Sequence, residues 1–194
     1  WQKLKTHWLR GFLSRYLNNI LFFFETFVVL IPWSLLCIQF CISKNHQKTI
    51  NEVVKLSGVG LHNGLNVNLT IRPAEENFGI KFCRTDVDKE NLIEASYQNV
   101  IEPVLCTKIK NDNGTTVSTV EHLMAAFFGE GIDNALVEID ASEVPILDGS
   151  ASEFVDEIRS AGIKEQKELK KFIKVLKKVE IREEEKYISI EPLE

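Results

Sequence analysis

The chain is poor in the residues that build metal centres and disulfide frameworks. It contains four cysteines, four histidines and one methionine among 194 residues. The cysteines stand at positions 37, 41, 83 and 106, without a CxxC pair or a dense pattern. This spacing excludes a zinc finger and a disulfide scaffold, and it fits a reducing compartment. We interpret the four cysteines as small buried hydrophobic residues.

Acidic residues outnumber basic ones after residue 48. Residues 1–48 carry six Lys and Arg against one acid, a net charge of +5, whereas the rest of the chain carries 17 against 27, a net charge of −10. Binding to nucleic acid requires clustered basic side chains that neutralise phosphates. The acidic part of the chain has no arginine-rich stripe, which argues against a nucleic-acid-binding protein.

The N-terminal segment differs from the rest in hydropathy as well as in charge. Residues 20–42 are apolar almost throughout, and about 20 apolar residues are enough for a helix to cross a bilayer. The preceding basic residues would send everything after residue 43 across the membrane. The alternatives are a secretory signal peptide, for which no clear cleavage site follows, and a non-native extension, since the chain begins with Trp1 and its one methionine is Met124. We favour the extension.

Short strands are predicted from residue 49 onward. Residues 65–71 alternate between apolar and polar side chains, as in a half-buried strand, and Pro73 ends the run. Asn113-Gly114 predicts a tight turn. Further strands are predicted at residues 78–84, 104–110 and 135–139.

Two stretches predict helices. Ser118 with Glu121, and Ser150 with Glu153, have the spacing of a capping box, and Gly162 would end the second helix. Apolar residues follow at helical spacing. They are Val120, Leu123, Met124 and Phe127 in the first stretch, and Phe154, Val155 and Ile158 in the second. Strands and helices without strict alternation predict an α+β fold, with two helices packed on one face of a mixed sheet and an apolar N-terminal helix in front.

The last part of the chain predicts a linker and an incomplete second domain. Residues 164–178 are rich in charge, and residues 179–182 and 186–191 form the two arms of a predicted hairpin. Two strands cannot build a core alone. The expected division is a leader at 1–46, a first domain at 47–163, a linker at 164–178 and the truncated start of a second domain at 179–194.

The adjacent pair Glu121-His122 is the strongest candidate for chemistry. In the first turn of a helix, a carboxylate could serve as a base beside an imidazole that binds a metal. A helix-capping glutamate beside a surface histidine is the alternative, since an HExxH zinc site would need a second histidine where residue 126 is Ala. The glycine-rich residues 57–64 lack the lysine of a P-loop and predict a turn with His62 at its tip.

Several motifs, in this order, resemble one family. They are SGVGLHNG, NVNLTIRPA, FCRTD, VLCT, VSTVEHLMAA, GIDNALVEID and EVPILDGSASEFV. Together they resemble the N-terminal domain of UDP-3-O-acyl-N-acetylglucosamine deacetylase, the zinc enzyme that commits the pathway of lipid A synthesis in Gram-negative bacteria. The resemblance covers about residues 47–191.

The resemblance implies a fold and a set of roles. Two similar α+β domains would pack their helices between two outer sheets, with the active site at the interface. His122 would be a zinc ligand, and Glu121 the general base for the zinc-bound water that attacks the N-acetyl carbonyl. His62 would lie in a loop of undefined role, not as a direct ligand. The residues implied to line the substrate cleft are Leu105, Cys106 and Thr107.

The chain also departs from the family pattern. The family takes its other zinc ligands from an HKxxDxxGD-type motif in the second domain, which has no counterpart here, and a catalytic zinc needs about three protein ligands. We therefore expect an N-terminal fragment of the deacetylase that is inactive alone. The alternative, from another class, is a non-catalytic, membrane-tethered module that keeps only the fold.

The expected partners follow from the same resemblance. The substrate would be UDP-3-O-acyl-N-acetylglucosamine, and the full-length protein would add the second domain. A UDP-sugar is cytosolic, which favours a cytoplasmic location over export. Contact with a membrane is possible through residues 20–42.

Overall fold

A computed structural model describes residues 38–101 and 105–193, with side chains from residue 45 onward. These residues form twelve strands, two α-helices and one 3-10 helix at Tyr97–Asn99. The strands are β1 (Ile38–Ile50), β2 (Val54–Val59), β3 (Asn66–Pro73), β4 (Ile80–Arg84), β5 (Leu92–Glu94), β6 (Val100–Ile101), β7 (Lys108–Lys110), β8 (Thr116–Ser118), β9 (Ala135–Ile139), β10 (Ile163–Val175), β11 (Val179–Glu183) and β12 (Lys186–Ile190). The helices are α1 (Glu121–Glu130) and α2 (Ser152–Ala161).

A five-stranded mixed sheet lies at the centre, in the order β2-β3-β9-β4-β5. β4 runs parallel to β9, and the other neighbours are antiparallel. The alternation predicted for residues 65–71 is confirmed from residue 66 onward, because Val67, Leu69 and Ile71 of β3 are buried while Asn66 and Asn68 are exposed. Leu65 precedes the strand and is exposed, so its predicted place on the buried face is wrong. A side-chain period of two therefore places one face of β3 in the core.

The two helices pack against each other, and their apolar stripes join the core of the sheet. The buried residues are Leu123, Ala126 and Phe127 from α1 and Phe154 and Ile158 from α2. Met124 and Val155 are partly buried against the same core. The predicted α+β class, with two helices on a mixed sheet, is confirmed.

The first predicted capping box does not form. Ser118 is the last residue of β8, and its hydroxyl donates to the carbonyl oxygen of Ser142 at 3.1 Å. α1 begins at Glu121 with Val120 as its N-cap residue, and no side chain caps it. Pairing of the strand with a distant segment thus occupies the serine that the local pattern assigned to the helix.

The second predicted capping box does not form either, and a hydrogen-bonded turn takes its place. The carboxylate of Asp148 accepts the N–H of Ser150 at 2.8 Å and its hydroxyl at 2.9 Å. The Ser150 oxygen in turn accepts the N–H of Ser152 at 3.0 Å. The N-cap residue of α2 is Ala151. The stop predicted at Gly162 is confirmed, since this residue ends α2 with a φ of 77°.

The two longest strands, β1 and β10, form a two-stranded sheet, and a parallel bridge between Thr49 and Asn134 connects β1 to the residue before β9. Their antiparallel register runs from Ile38 opposite Val175 to Ile50 opposite Ile163. Most of the predicted linker 164–178 is therefore strand, with largely exposed side chains. Its many charged residues suit an exposed strand, which explains why the sequence resembled a connector. The division into domains stays a prediction.

Most of the predicted leader lies outside the described residues. Of the apolar residues 20–42, the structure describes only 38–42, and these belong to β1. Among the described helices, none is both long enough and apolar enough to cross a membrane.

The predicted turns agree with the structure. Asn113-Gly114 connects β7 to β8, with Gly114 at a φ of 93°. The strand before this turn covers Lys108–Lys110, shorter than the predicted 104–110, of which residue 104 is not described. The predicted hairpin is confirmed by β11 and β12. The two strands are antiparallel, with Val179 opposite Ile190 and Glu183 opposite Lys186.

Two glycines near the end of α1 give a paired prediction. Gly131 ends the helix in the left-handed region, at a φ of 70°, where alanine is strained. Gly129 lies inside the helix, and nothing within 4 Å would meet an added Cβ. We expect Gly131→Ala to lower the free energy of unfolding by about 1 kcal/mol and Gly129→Ala to raise it by about 0.5–1 kcal/mol. Urea unfolding of both variants measures the two changes in free energy. Changes of the same sign would contradict a helix that ends at Gly131 in the left-handed conformation.

Candidate active site

The pair Glu121-His122 lies in the first turn of α1, and both residues are half-buried. Only Thr119 and Val120 separate the pair from the last residue of β8. Thr119 is buried and has a φ of 59°, a conformation that is rare for a β-branched residue. One residue in the left-handed region therefore turns the chain from strand to helix and sets where the pair lies.

The carboxylate of Glu121 contacts the predicted cleft segment. The backbone N–H of Thr107 donates to its two oxygens at 3.1 and 3.0 Å. The N–H of Val120 donates back to the Thr107 carbonyl at 3.4 Å. Leu105 is 76% exposed with a φ of 64°, and Cys106 is half-buried. The structure thus brings residues 105–107 to the start of α1, with Thr107 in direct contact with Glu121.

Asp148 is the acidic residue whose charge interacts with His122. Hydrogen bonds from the N–H and the hydroxyl of Ser150 hold the pKa of Asp148 below its ordinary value, and the charge of His122 lowers it further. This aspartate lies in the turn before α2 and is exposed. The turn at residues 148–150 therefore carries a carboxylate whose pKa is influenced by the charge of His122, a link that the sequence alone does not show.

His62 lies where predicted, exposed in the turn between β2 and β3. Its backbone N–H donates to Glu143 Oε1 at 3.0 Å, and the N–H of Asn63 donates to Glu143 Oε2 at 2.9 Å. The hydroxyl of Thr119 donates to the same Oε1 at 2.8 Å. Glu143 therefore links the turn that carries His62 to the corner in front of Glu121.

Sequence reasoning missed Glu143, which is only 1% exposed. Burial by itself raises the pKa of Glu143, but the hydrogen bonds from Asn63, Thr119 and His62, together with the charge of His62, hold the pKa below its usual value. The side chain is therefore ionised at neutral pH. A charged residue between the apolar Ala141 and Val144 was the available signal in the sequence.

The described residues do not form a complete metal site. In ranges 38–101 and 105–193, no three His, Cys, Asp or Glu side chains lie close enough together to hold a metal ion. A catalytic zinc takes about three protein ligands and a water. His122 alone would supply one of these ligands, so its role as a zinc ligand stays a prediction.

Comparison with known proteins gives one family. Residues 47–194 match the family model of UDP-3-O-acyl N-acetylglycosamine deacetylase. Among curated relatives, the UDP-3-O-acyl-N-acetylglucosamine deacetylases of Shewanella halifaxensis, Shewanella pealeana and Actinobacillus succinogenes are 49%, 48% and 48% identical over 146 residues. Each alignment covers 75% of this chain and 48% of the relative, so the chain spans about half the length of these relatives. Since the family model covers most of the sequence, this chain belongs to the UDP-3-O-acyl N-acetylglycosamine deacetylase family.

Proposed function

We propose that this chain provides the first half of a zinc-dependent hydrolase. That enzyme would remove the N-acetyl group from UDP-3-O-acyl-N-acetylglucosamine, the committed step of lipid A biosynthesis. The observation that carries the proposal is the position of Glu121 beside His122 at the start of α1, with its carboxylate held by the Thr107 N–H, in a chain of this family.

Glu121 is the proposed general base. The Thr107 N–H fixes the direction of its carboxylate, and an ionised carboxylate has about four lone-pair sites, so acceptor capacity remains for a water. The base takes a proton from the water that attacks the N-acetyl carbonyl, and the products are acetate and the free amine. Proton transfer of this kind contributes about 10²–10⁴-fold to a rate.

His122 is the proposed zinc ligand of this half of the enzyme. A single imidazole cannot hold a catalytic zinc, and the described residues supply no group of three possible ligands, so at least part of the ligand set must come from elsewhere. We therefore expect the 194-residue chain to be inactive alone. The substrate is a cytosolic UDP-sugar, so we place the reaction in the cytoplasm.

The segment Leu105, Cys106 and Thr107 is the proposed edge of the substrate cleft. Leu105 offers an exposed apolar side chain two residues from the backbone N–H that holds Glu121. A substrate group lying along this segment would come close to the base. His62 keeps an undefined role in this proposal.

A chimera tests the proposed function. The 146 residues that match would replace their counterpart in the Shewanella halifaxensis relative. We expect the zinc-loaded chimera to release acetate from UDP-3-O-acyl-N-acetylglucosamine, and the 194-residue chain alone to release none. The relative itself is the positive control.

Two outcomes would contradict the proposal. A chimera with the circular dichroism and zinc content of the relative, but without activity, would overturn the assignment of this half to the deacetylase. Robust deacetylation by the 194-residue chain alone would overturn the need for further ligands.

A further inference from the structure

The carboxylate of Glu143 is buried at a place where two parts of the chain meet. Taking an ionised group out of water is costly unless hydrogen bonds replace the lost water. Three donors do so here, namely the backbone N–H groups of His62 and Asn63 and the hydroxyl of Thr119. Among the described residues, no fully buried side-chain nitrogen or oxygen is left without a partner.

The three donors belong to two separate segments. His62 and Asn63 are in the turn between β2 and β3, whereas Thr119 connects β8 to α1. One oxygen, Oε1, accepts both the His62 N–H at 3.0 Å and the Thr119 hydroxyl at 2.8 Å. A single oxygen atom therefore joins the two segments. A displacement of either segment would strain its hydrogen bond to that oxygen.

The turn is folded closely around this carboxylate. A Cβ added at Gly60 would lie 2.7 Å from Glu143 Oε2 and 2.3 Å from Asn63 Oδ1, closer than real Cβ atoms approach. The N–H of Gly60 donates to the Leu65 carbonyl at 2.9 Å, and the N–H of Gly64 donates to the Gly60 carbonyl at 3.0 Å. Residue 60 is therefore fixed on both sides, and glycine leaves the space that the carboxylate occupies.

The backbone around Glu143 is anchored independently of its side chain. The N–H of Val144 donates to the Ser118 carbonyl at 3.0 Å, and the N–H of Ser118 donates to the Ser142 carbonyl at 2.9 Å. These bonds fix the end of β8 against residues 142–144. The carboxylate makes separate contacts, with the hydroxyl of Thr119 and with the backbone N–H groups of His62 and Asn63.

We propose that Glu143 is a positioning residue, whose carboxylate couples the turn at 60–64 to Thr119 and thereby fixes Glu121 and His122 relative to His62. Its effect on catalysis rests on the function proposed above, whereas the coupling itself does not. Glu143 does not touch the reacting atoms in this proposal. It sets the direction in which α1 starts.

Hydrogen exchange in the 194-residue chain tests the coupling. In Glu143→Gln, one acceptor oxygen replaces two, and the new NH₂ group faces a donor in either orientation. We expect the exchange of the His62 and Asn63 amides, followed by NMR, to accelerate at least tenfold. The Val144 amide, which binds the Ser118 carbonyl, should stay within twofold and report an intact backbone.

Thr119 gives a second route to the same result. Thr119→Val removes the hydroxyl while keeping the shape of the side chain. As a single substitution it should accelerate the exchange of the His62 amide. Combined with Glu143→Gln, it should cause no further acceleration. If Glu143→Gln does not fold, the single Thr119→Val variant still reports the coupling. Exchange at His62 unchanged within twofold in the variants that fold would overturn the proposal.

Kinetics of the chimera test the catalytic consequence. We expect Glu143→Gln and Thr119→Val each to lower kcat about tenfold with KM within twofold, and the double variant to match Glu143→Gln. Thr119→Ser keeps the hydroxyl and should restore kcat. Glu138→Gln removes a carboxylate of β9 that binds Arg72, and should leave kcat unchanged.

The two proposals fail in different ways. An inactive wild-type chimera would count against the proposed function, while the exchange arm still decides the coupling. Additive losses of kcat would show that Glu143 and Thr119 act independently, and an unchanged kcat in Glu143→Gln would show that the carboxylate has a structural role alone. Either result would overturn the proposal.

Discussion

Glu121→Gln is expected to lower the kcat of the chimera by about 10²–10⁴-fold, the usual contribution of a general base. Glutamine keeps the size of the side chain and one acceptor for the Thr107 N–H, which donates to the carboxylate at 3.0 and 3.1 Å. It cannot take a proton from water. Steady-state kinetics at saturating substrate measure the effect, and KM should stay close to the unsubstituted value because binding contacts are retained.

Glu130→Gln is the matched control. It removes the same charge from the same helix, at the other end, where Glu130 pairs with Arg159 at 2.9 Å. We expect kcat to stay within about twofold, since exposed or half-exposed ion pairs contribute about 0–1 kcal/mol to stability and this one lies away from the first turn. A kcat for Glu121→Gln within tenfold of the unsubstituted chimera would show that another group takes the proton.

Asn134→Asp should be strongly destabilising, although the two side chains have nearly the same shape. Asn134 is 1% exposed, and its NH₂ group donates to Gln47 Oε1 at 2.8 Å and to Gln166 Oε1 at 2.7 Å. Its oxygen accepts the Gly79 N–H at 2.8 Å. Aspartate would turn a buried negative charge towards two amide oxygens. We expect a loss of about 3 kcal/mol in the free energy of unfolding at pH 7, the upper part of the range for an unsatisfied buried group.

The neighbouring amides cannot relieve this clash by flipping. The NH₂ group of Gln47 already donates to Asn77 Oδ1 at 3.0 Å, and that of Gln166 donates to the Ala74 carbonyl at 2.9 Å. Urea unfolding measures the loss. Asn113→Asp makes the same chemical change in the exposed turn before β8 and should stay within about 0.5 kcal/mol of the parent chain. Equal effects of the two variants would contradict the network around Asn134.

The elements with a clear period could be predicted from the sequence. In β3 and β9 the buried residues recur every two positions, and in both helices about every three and a half. One face of each of these elements is buried. β10 was missed because its exposed side chains leave no period, and its partner β1 lies more than 110 residues away. The pairing of such strands depends on the whole fold.

The helix starts show the limit of local patterns. Ser118 and Glu121 have capping-box spacing, yet one binds Ser142 and the other Thr107. The candidate pair itself could be selected, because both residues are adjacent in the sequence and belong to a recognisable motif. For Glu143 the sequence offers only a charged residue in an apolar stretch, and its role could not be predicted, because its partners are 24 to 81 residues away.

The long pair of strands β1 and β10 also bears on how the chain folds. Contacts between distant residues form late, because the entropy of closing the intervening loop is lost before the contact is gained. The central sheet, the two helices and the turn around Glu143 all lie within that loop. We therefore expect the pairing of residues 38–50 with residues 163–175 to form after the contacts inside this loop, and to add the hydrogen bonds between Asn134 and the side chains of Gln47 and Thr49 that tie β1 to the central sheet.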